Sequence, residues 1–143
     1  MNKLHGYRKL GKTSDHRRAF LRNLATSMVD HGRIKTTVPR AKDLRRIVED
    51  LVTLGCKGGL HRQRKIRSVL FTRSAAQKTW TELAKRFNQR PGGYTRIQRL
   101  GTRFGDGADM CFLEFVDYTD HEGKAKEAAK KKKSIKSDES KTQ

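Results

Sequence analysis

Positive charge is the feature that most constrains this chain. Residues 1–116 hold 26 lysines and arginines against nine aspartates and glutamates, and the surplus runs through nearly every segment. A compact domain with that imbalance repels itself, and phosphate neutralisation relieves the repulsion. The fold must also be economical, because only 34% of the chain is hydrophobic, against a usual value of roughly 45–50%. A membrane-surface protein gathers its bases opposite a broad apolar face, whereas here they recur throughout. No apolar run approaches the roughly 18 residues of a spanning helix. Cys56 and Cys111 form neither a CxxC pair nor a disulfide framework. Lys3, Arg8, Lys9 and Lys12 interrupt any signal-peptide core. At 143 residues, the expectation is one small intracellular domain with a polyanionic partner, no membrane association and no small-molecule substrate.

Residues 1–13 carry two glycines, four bases and no acid, without periodicity, and read as a basic extended arm. Ser14 suits an N-cap. Phe20, Leu21, Leu24, Ala25, Met28 and Val29 then recur at helical spacing, with Gly32 past the end, which predicts a helix over 15–31. Residues 33–38 alternate and are β-branched, which predicts a short strand. Thr37 and Pro39 suit the start of a second helix, in which Leu44, Ile47, Val48, Leu51 and Leu54 keep helical spacing until Gly55 ends it. A third helix is expected over 60–70. A fourth, capped by Ser74, would bury Trp80, Leu83, Ala84 and Phe87 and stop before Pro91.

Residues 94–100 and 109–116 read as strands of a hairpin turning at Gly105-Asp106-Gly107. Both faces of the second strand are largely apolar, which implies cover on each side or a partner on one. The expected class is therefore α+β in two layers: helix, strand, three helices and a two-strand hairpin, the helices on one face of a small sheet. The single domain spans 14–117. Residues 118–143 form a Lys-rich tail with one large apolar side chain, Ile135, and are expected to be disordered.

Catalytic chemistry finds little purchase. His5, His16, His31, His61 and His121 form no metal-ligand spacing. Ser14-Asp15-His16 holds triad letters, but three consecutive residues cannot converge on one reaction centre. Acids are scarce, and no phosphate-cradling glycine motif is present. No catalytic residue, metal or cofactor is expected.

The basic sets point instead to RNA. Lys3, His5, Arg8, Lys9 and Lys12 lie in the arm, and His16, Arg17, Arg18 and Arg22 follow on the first helix. Lys35, Thr36 and Thr37 offer a cation and two hydroxyls for phosphate or 2′-OH groups. Arg40 and Lys42 open the second helix, where bases oppose the positive end of the helix dipole, a local cost that a phosphate relieves. Arg62, Arg64 and Arg67 crowd the third helix, beside Lys65. Tyr94 and Arg96 begin a strand and offer a stacking ring and a charge.

The segments IKTTVPRAKDLRR (34–46), TSDHRRAFLRNLATSMV (13–29) and RPGGYTRIQRLGTRFGDGADMCFLEFVD (90–117), in this order and spacing, closely resemble the bacterial-type large-subunit ribosomal protein seventeen family. The resemblance covers about residues 8–117. It implies a structural, non-enzymatic component of the large subunit, with a similar two-layer fold, near the polypeptide exit region. Its partners would be large-subunit ribosomal RNA and neighbouring ribosomal proteins. Family members set the basic arm and first helix against ribosomal RNA, which corresponds to Arg8, Lys9, Lys12, His16, Arg17, Arg18 and Arg22 here. The signature segment corresponds to Ile34, Thr36, Thr37, Arg40, Ala41 and Lys42, and the GGYTRI element to Gly92 through Ile97. Residues 55–59 (GCKGG) and the long tail depart from the family pattern. The match begins near Met1, so no long transit segment is expected, and the location is a cytoplasmic ribosome, with an organellar one left open. The alternatives are a DNA-binding nucleoid-type protein, separable by competition binding, and an RNA-processing enzyme, which needs an acidic cleft or metal site.

Overall fold

The computed structural model describes residues 8–118, and the expectations for residues 1–7 and for the tail beyond 118 lie outside the described residues. Residues 8–13 are neither helix nor strand. Helix α1 covers Ser14–His31, and Thr13, not Ser14, occupies its N-cap without a side-chain hydrogen bond. Gly32 closes it in the left-handed region (φ 75°), where a side chain would be strained, and its N–H donates to the Met28 carbonyl.

Strand β1 (Arg33–Thr37) leads directly into α2 (Val38–Lys57), with Pro39 in its first turn. Gly55 does not end α2, which runs two residues further to the Gly58 cap. Gly55 has a different role. A Cβ there would lie 2.9 Å from the Thr79 carbonyl oxygen, so its bareness lets the fourth helix approach.

Helix α3 covers Leu60–Val69. The fourth helical body starts with α4 (Arg73–Lys78), capped by Thr72, not Ser74: the Thr72 hydroxyl accepts from the Ala75 N–H. It continues through a π-helical turn, Thr79–Leu83, into α5 (Ala84–Phe87). The wider turn has a packing cause. Ala75, Thr79, Leu83 and Phe87 are all buried and recur every fourth residue. On an ideal α-helix that spacing drifts by about 40° per step, and the π turn absorbs part of the drift. Trp80, expected in the buried stripe, is only partly buried.

Strands β2 (Thr95–Thr102) and β3 (Asp109–Phe115) form the expected hairpin, bulged between Arg99 and Gly101. The sheet order is β1-β3-β2, all antiparallel, with β3 central. Its inner face, Cys111, Leu113 and Phe115, packs into one core with Met28 and Val29 of α1, and Leu44, Val48, Leu51 and Val52 of α2. Phe87 binds the end of the fourth helix to this core, with its ring centroid 5.3 Å from Tyr94 and 5.7 Å from Phe115. The fold is thus α+β in two layers among the described residues.

The outer face of β3 is covered by charge rather than by a third layer. Register sets Glu114 opposite Arg33 on β1 and Arg96 on β2, and it pairs with both while being almost fully buried. The Arg33 guanidinium lies 3.7 Å from the centre of the Phe112 ring.

Candidate nucleic-acid interface

Three helices bring the cations together. Arg17 and Arg18 of α1 and Lys65 of α3 border a groove of about 790 Å³ whose apolar wall includes Leu21, Ile47, Leu51 and Leu54. On the adjacent side of α2, Arg8, Lys42, Arg45 and Arg46 surround a second recess of about 550 Å³. Helix α2 forms the ridge between them. The described part of the arm crosses the start of this ridge: the Arg8 N–H and guanidinium donate to Asp43, and the guanidinium also reaches the Pro39 carbonyl. Lys12 and Arg40, from α1's approach and α2's first turn, lie 4.9 and 5.2 Å from the Phe20 ring centre. Lys12 also lies 3.2 Å from the exposed His16 ring.

Several acids are occupied within the fold, whereas Asp30, Asp50, Glu82 and Asp109 have no ion pair among the described residues, and Asp50 lies in the wall of the first groove. Asp43, Glu49, Glu114 and Asp117 pair with Arg8, Arg45, Arg33 and Arg96, and Arg86 respectively. By contrast, the side chains of Lys9, Arg17, Lys35, Lys42, Arg46, Arg64, Lys65 and Arg67 have no ion pair, hydrogen bond or ring contact among the described residues. Arg18 meets only Asp15, at 4.0 Å and with both side chains exposed, a pair too solvated to hold it.

Several residues expected at the interface are placed elsewhere. Tyr94 is 4% exposed and packs on Phe87, and Thr36, paired with Cys111 within the sheet, is 6% exposed, so burial removes both from the surface. Thr37 is half-buried at the α2 N-cap. Arg22 is held by the fold: its guanidinium donates to the Val69 and Ser68 carbonyls at 2.8 and 2.9 Å and lies over Phe71. Arg62 does the same for α2, donating to the Lys57 and Gly58 carbonyls. Both neutralise the negative end of a helix. Arg96 is exposed but tied to Glu114. Lys3 and His5 lie outside the described residues. Arg46 and Lys65, which the sequence places among the basic sets of α2 and α3 without counting them as site residues, join the site. Their signal was helical spacing, Arg46 being one turn from Lys42.

Among the described residues no group of three or more His, Cys, Asp or Glu side chains is arranged to hold a metal ion, and no helix is long and apolar enough to cross a membrane. Burial pushes the Cys56 and Cys111 thiols above their usual range, which disfavours the nucleophilic thiolate.

A scaffold that pairs its buried acids internally and turns a surplus of bases outward defines a class: small cationic α+β proteins suited to a polyanionic environment. The sequence pattern of the family described as ribosomal protein L17 matches residues 20–116. Large ribosomal subunit protein bL17 of Finegoldia magna is 45% identical over 131 residues, spanning 92% of this chain and 96% of that protein. The protein of the same name from Desulforudis audaxviator is 50% identical over 111 residues, 78% of this chain and 99% of that protein. The chain belongs to the ribosomal protein L17 family, whose members are structural ribosomal components rather than enzymes.

Proposed function

We propose that this chain is a structural constituent of the large ribosomal subunit in the cytoplasm. It binds ribosomal RNA with the surface formed by the arm, α1, α2 and α3, and so supports subunit assembly and translation. Arg8, Lys9, Lys12, His16, Arg17, Arg18, Arg40, Lys42, Arg46, Arg64, Lys65 and Arg67 supply most of that surface. Lys35 adds charge from the sheet, where Arg96 is engaged by Glu114. The observation that carries the reading is that Arg17, Lys42, Arg46 and Lys65, bordering the two recesses beside α2, have no acid paired with them among the described residues. Most contacts go to phosphate and sugar, since the deep major groove of A-form RNA excludes side chains. A position near the polypeptide exit region, among neighbouring ribosomal proteins, is supported by the family resemblance.

The test is binding of the full chain to a large-subunit RNA transcript at several salt concentrations. By the rule for B-form DNA, neutralising roughly 6–10 phosphates lowers affinity by about 10³–10⁵ between 50 and 200 mM salt. A flat salt dependence overturns the reading. Equal affinity for duplex DNA in competition points to a nucleoid-type protein instead.

A further inference from the structure

The β2–β3 hairpin ends in a phenylalanine that folding does not explain. Phe104 is fully exposed and makes no ring or cation contact among the described residues. The other exposed large apolar residues, Leu60, Phe71 and Leu100, all keep part of their surface covered, and Phe71 lies under the Arg22 guanidinium.

The turn that carries Phe104 is braced. The Arg103 guanidinium makes a two-point contact with Asp106, Nε donating to Oδ1 at 2.9 Å and Nη2 to Oδ2 at 2.5 Å. The Ala108 N–H donates to the same carboxylate at 3.3 Å. Backbone bonds from the Arg103 N–H to the Ala108 carbonyl and from the Gly107 N–H to the Arg103 carbonyl close the loop. The brace fixes the backbone that carries the ring, so docking has only the two side-chain torsions of Phe104 left to order, a small cost for a large contact area.

Charge indicates what it docks against. In a chain dominated by bases, residues 102–109 hold one, Arg103, against Asp106 and Asp109. Arg103 is neutralised by Asp106, and Asp109 is exposed. Such a tip repels a phosphate backbone, whereas it complements a basic protein surface.

We infer that the β2–β3 tip is a protein-docking anchor, with Phe104 inserting into an apolar pocket bordered by basic groups on a neighbouring large-subunit protein. The inference rests on the large-subunit reading above. It adds a second interface, of different chemistry, at a different part of the fold.

The experiment compares the wild-type chain with Phe104→Ala and Phe104→Leu on two probes. One is protein-free large-subunit RNA transcript. The other is large-subunit particles assembled without this chain but retaining the other proteins. The variants keep the wild-type circular dichroism spectrum, because the ring touches nothing in the fold. All three chains should bind the transcript within about twofold of one another. On the particles Phe104→Ala should lose about tenfold or more, the range of an interface hot spot, and Phe104→Leu should retain most of the affinity. A comparable Phe104→Ala loss on the transcript overturns the inference in favour of nucleobase stacking. Equal binding of wild type and Phe104→Ala to both probes also overturns it. A wild-type chain that ignores the transcript yet depends on Phe104 on the particles removes the RNA reading and leaves the tip inference standing.

Discussion

Around α2, arginines and lysines outnumber the acids near them, and Arg17, Arg46 and Lys65 face outward without partners among the described residues. At the β2–β3 tip, the local arginine is matched by Asp106 and an aromatic ring is what meets solvent. The two regions show that net charge is a poor guide to where a basic protein touches RNA. What matters is charge left over after internal pairing. Arg22 and Arg62 sharpen the point, because both lie amid the cations yet hold helix ends together.

The largest expected contrast is in RNA binding. Replacing Arg17, Arg18 and Lys65 together with alanine should weaken binding to large-subunit RNA by about 10²-fold at low salt and reduce the magnitude of the log–log salt slope by about 2–3. Phe104→Ala should leave that slope unchanged. A triple variant with the wild-type slope would erase the distinction between the regions.

The second effect tests the scaffold under the cations. Gly55→Ala drives a methyl into the Thr79 carbonyl and should cost about 1–3 kcal/mol, read as a lower urea midpoint. An unchanged midpoint would show that the helices can separate freely there.

A third measurement concerns the tip. The Arg103 guanidinium holds the Asp106 carboxyl down to about 2, from an ordinary value of 3.8. Because the folded value is depressed, the charged brace is present at neutral and mildly acidic pH and is lost only as pH falls through about 2. Carboxyl chemical shifts followed by NMR should show Asp106 titrating there. Titration near the ordinary value would mean the brace is absent in solution. The smallest effect is Phe104→Ala on stability, expected within about 0.5 kcal/mol of wild type. A larger drop in the urea midpoint would give the ring a folding role and weaken its assignment as an anchor.

Much of the scaffold was legible in the sequence. Periodic apolar residues located α1 and α2, Gly32 marked the end of α1, and the alternation of Cys111, Leu113 and Phe115 gave the buried face of β3. Features that depend on two distant segments meeting were not. Gly55 reads as a stop signal until Thr79 is seen against it, and Ser74 reads as a cap until Thr72 is found bonded to Ala75. The site was legible in the same partial way. Charge density marked α1, α2 and α3, but composition cannot distinguish Arg17, left outward, from Arg22, bonded to the end of α3. Tyr94 looked like a stacking ring because its neighbours are basic, yet its own ring completes the contact between Phe87 and the sheet.

The π turn at Thr79–Leu83 makes the fourth helix sensitive to chain length as well as to side-chain identity. Deleting one residue there would let the backbone relax into an ordinary α-helix and gain regular hydrogen bonds. Because a π turn takes up about one residue more than an α turn, Phe87 would stay close to its alignment with Tyr94 and Phe115, whereas a deletion elsewhere in the fourth helix would swing Phe87 by about 100° off the sheet.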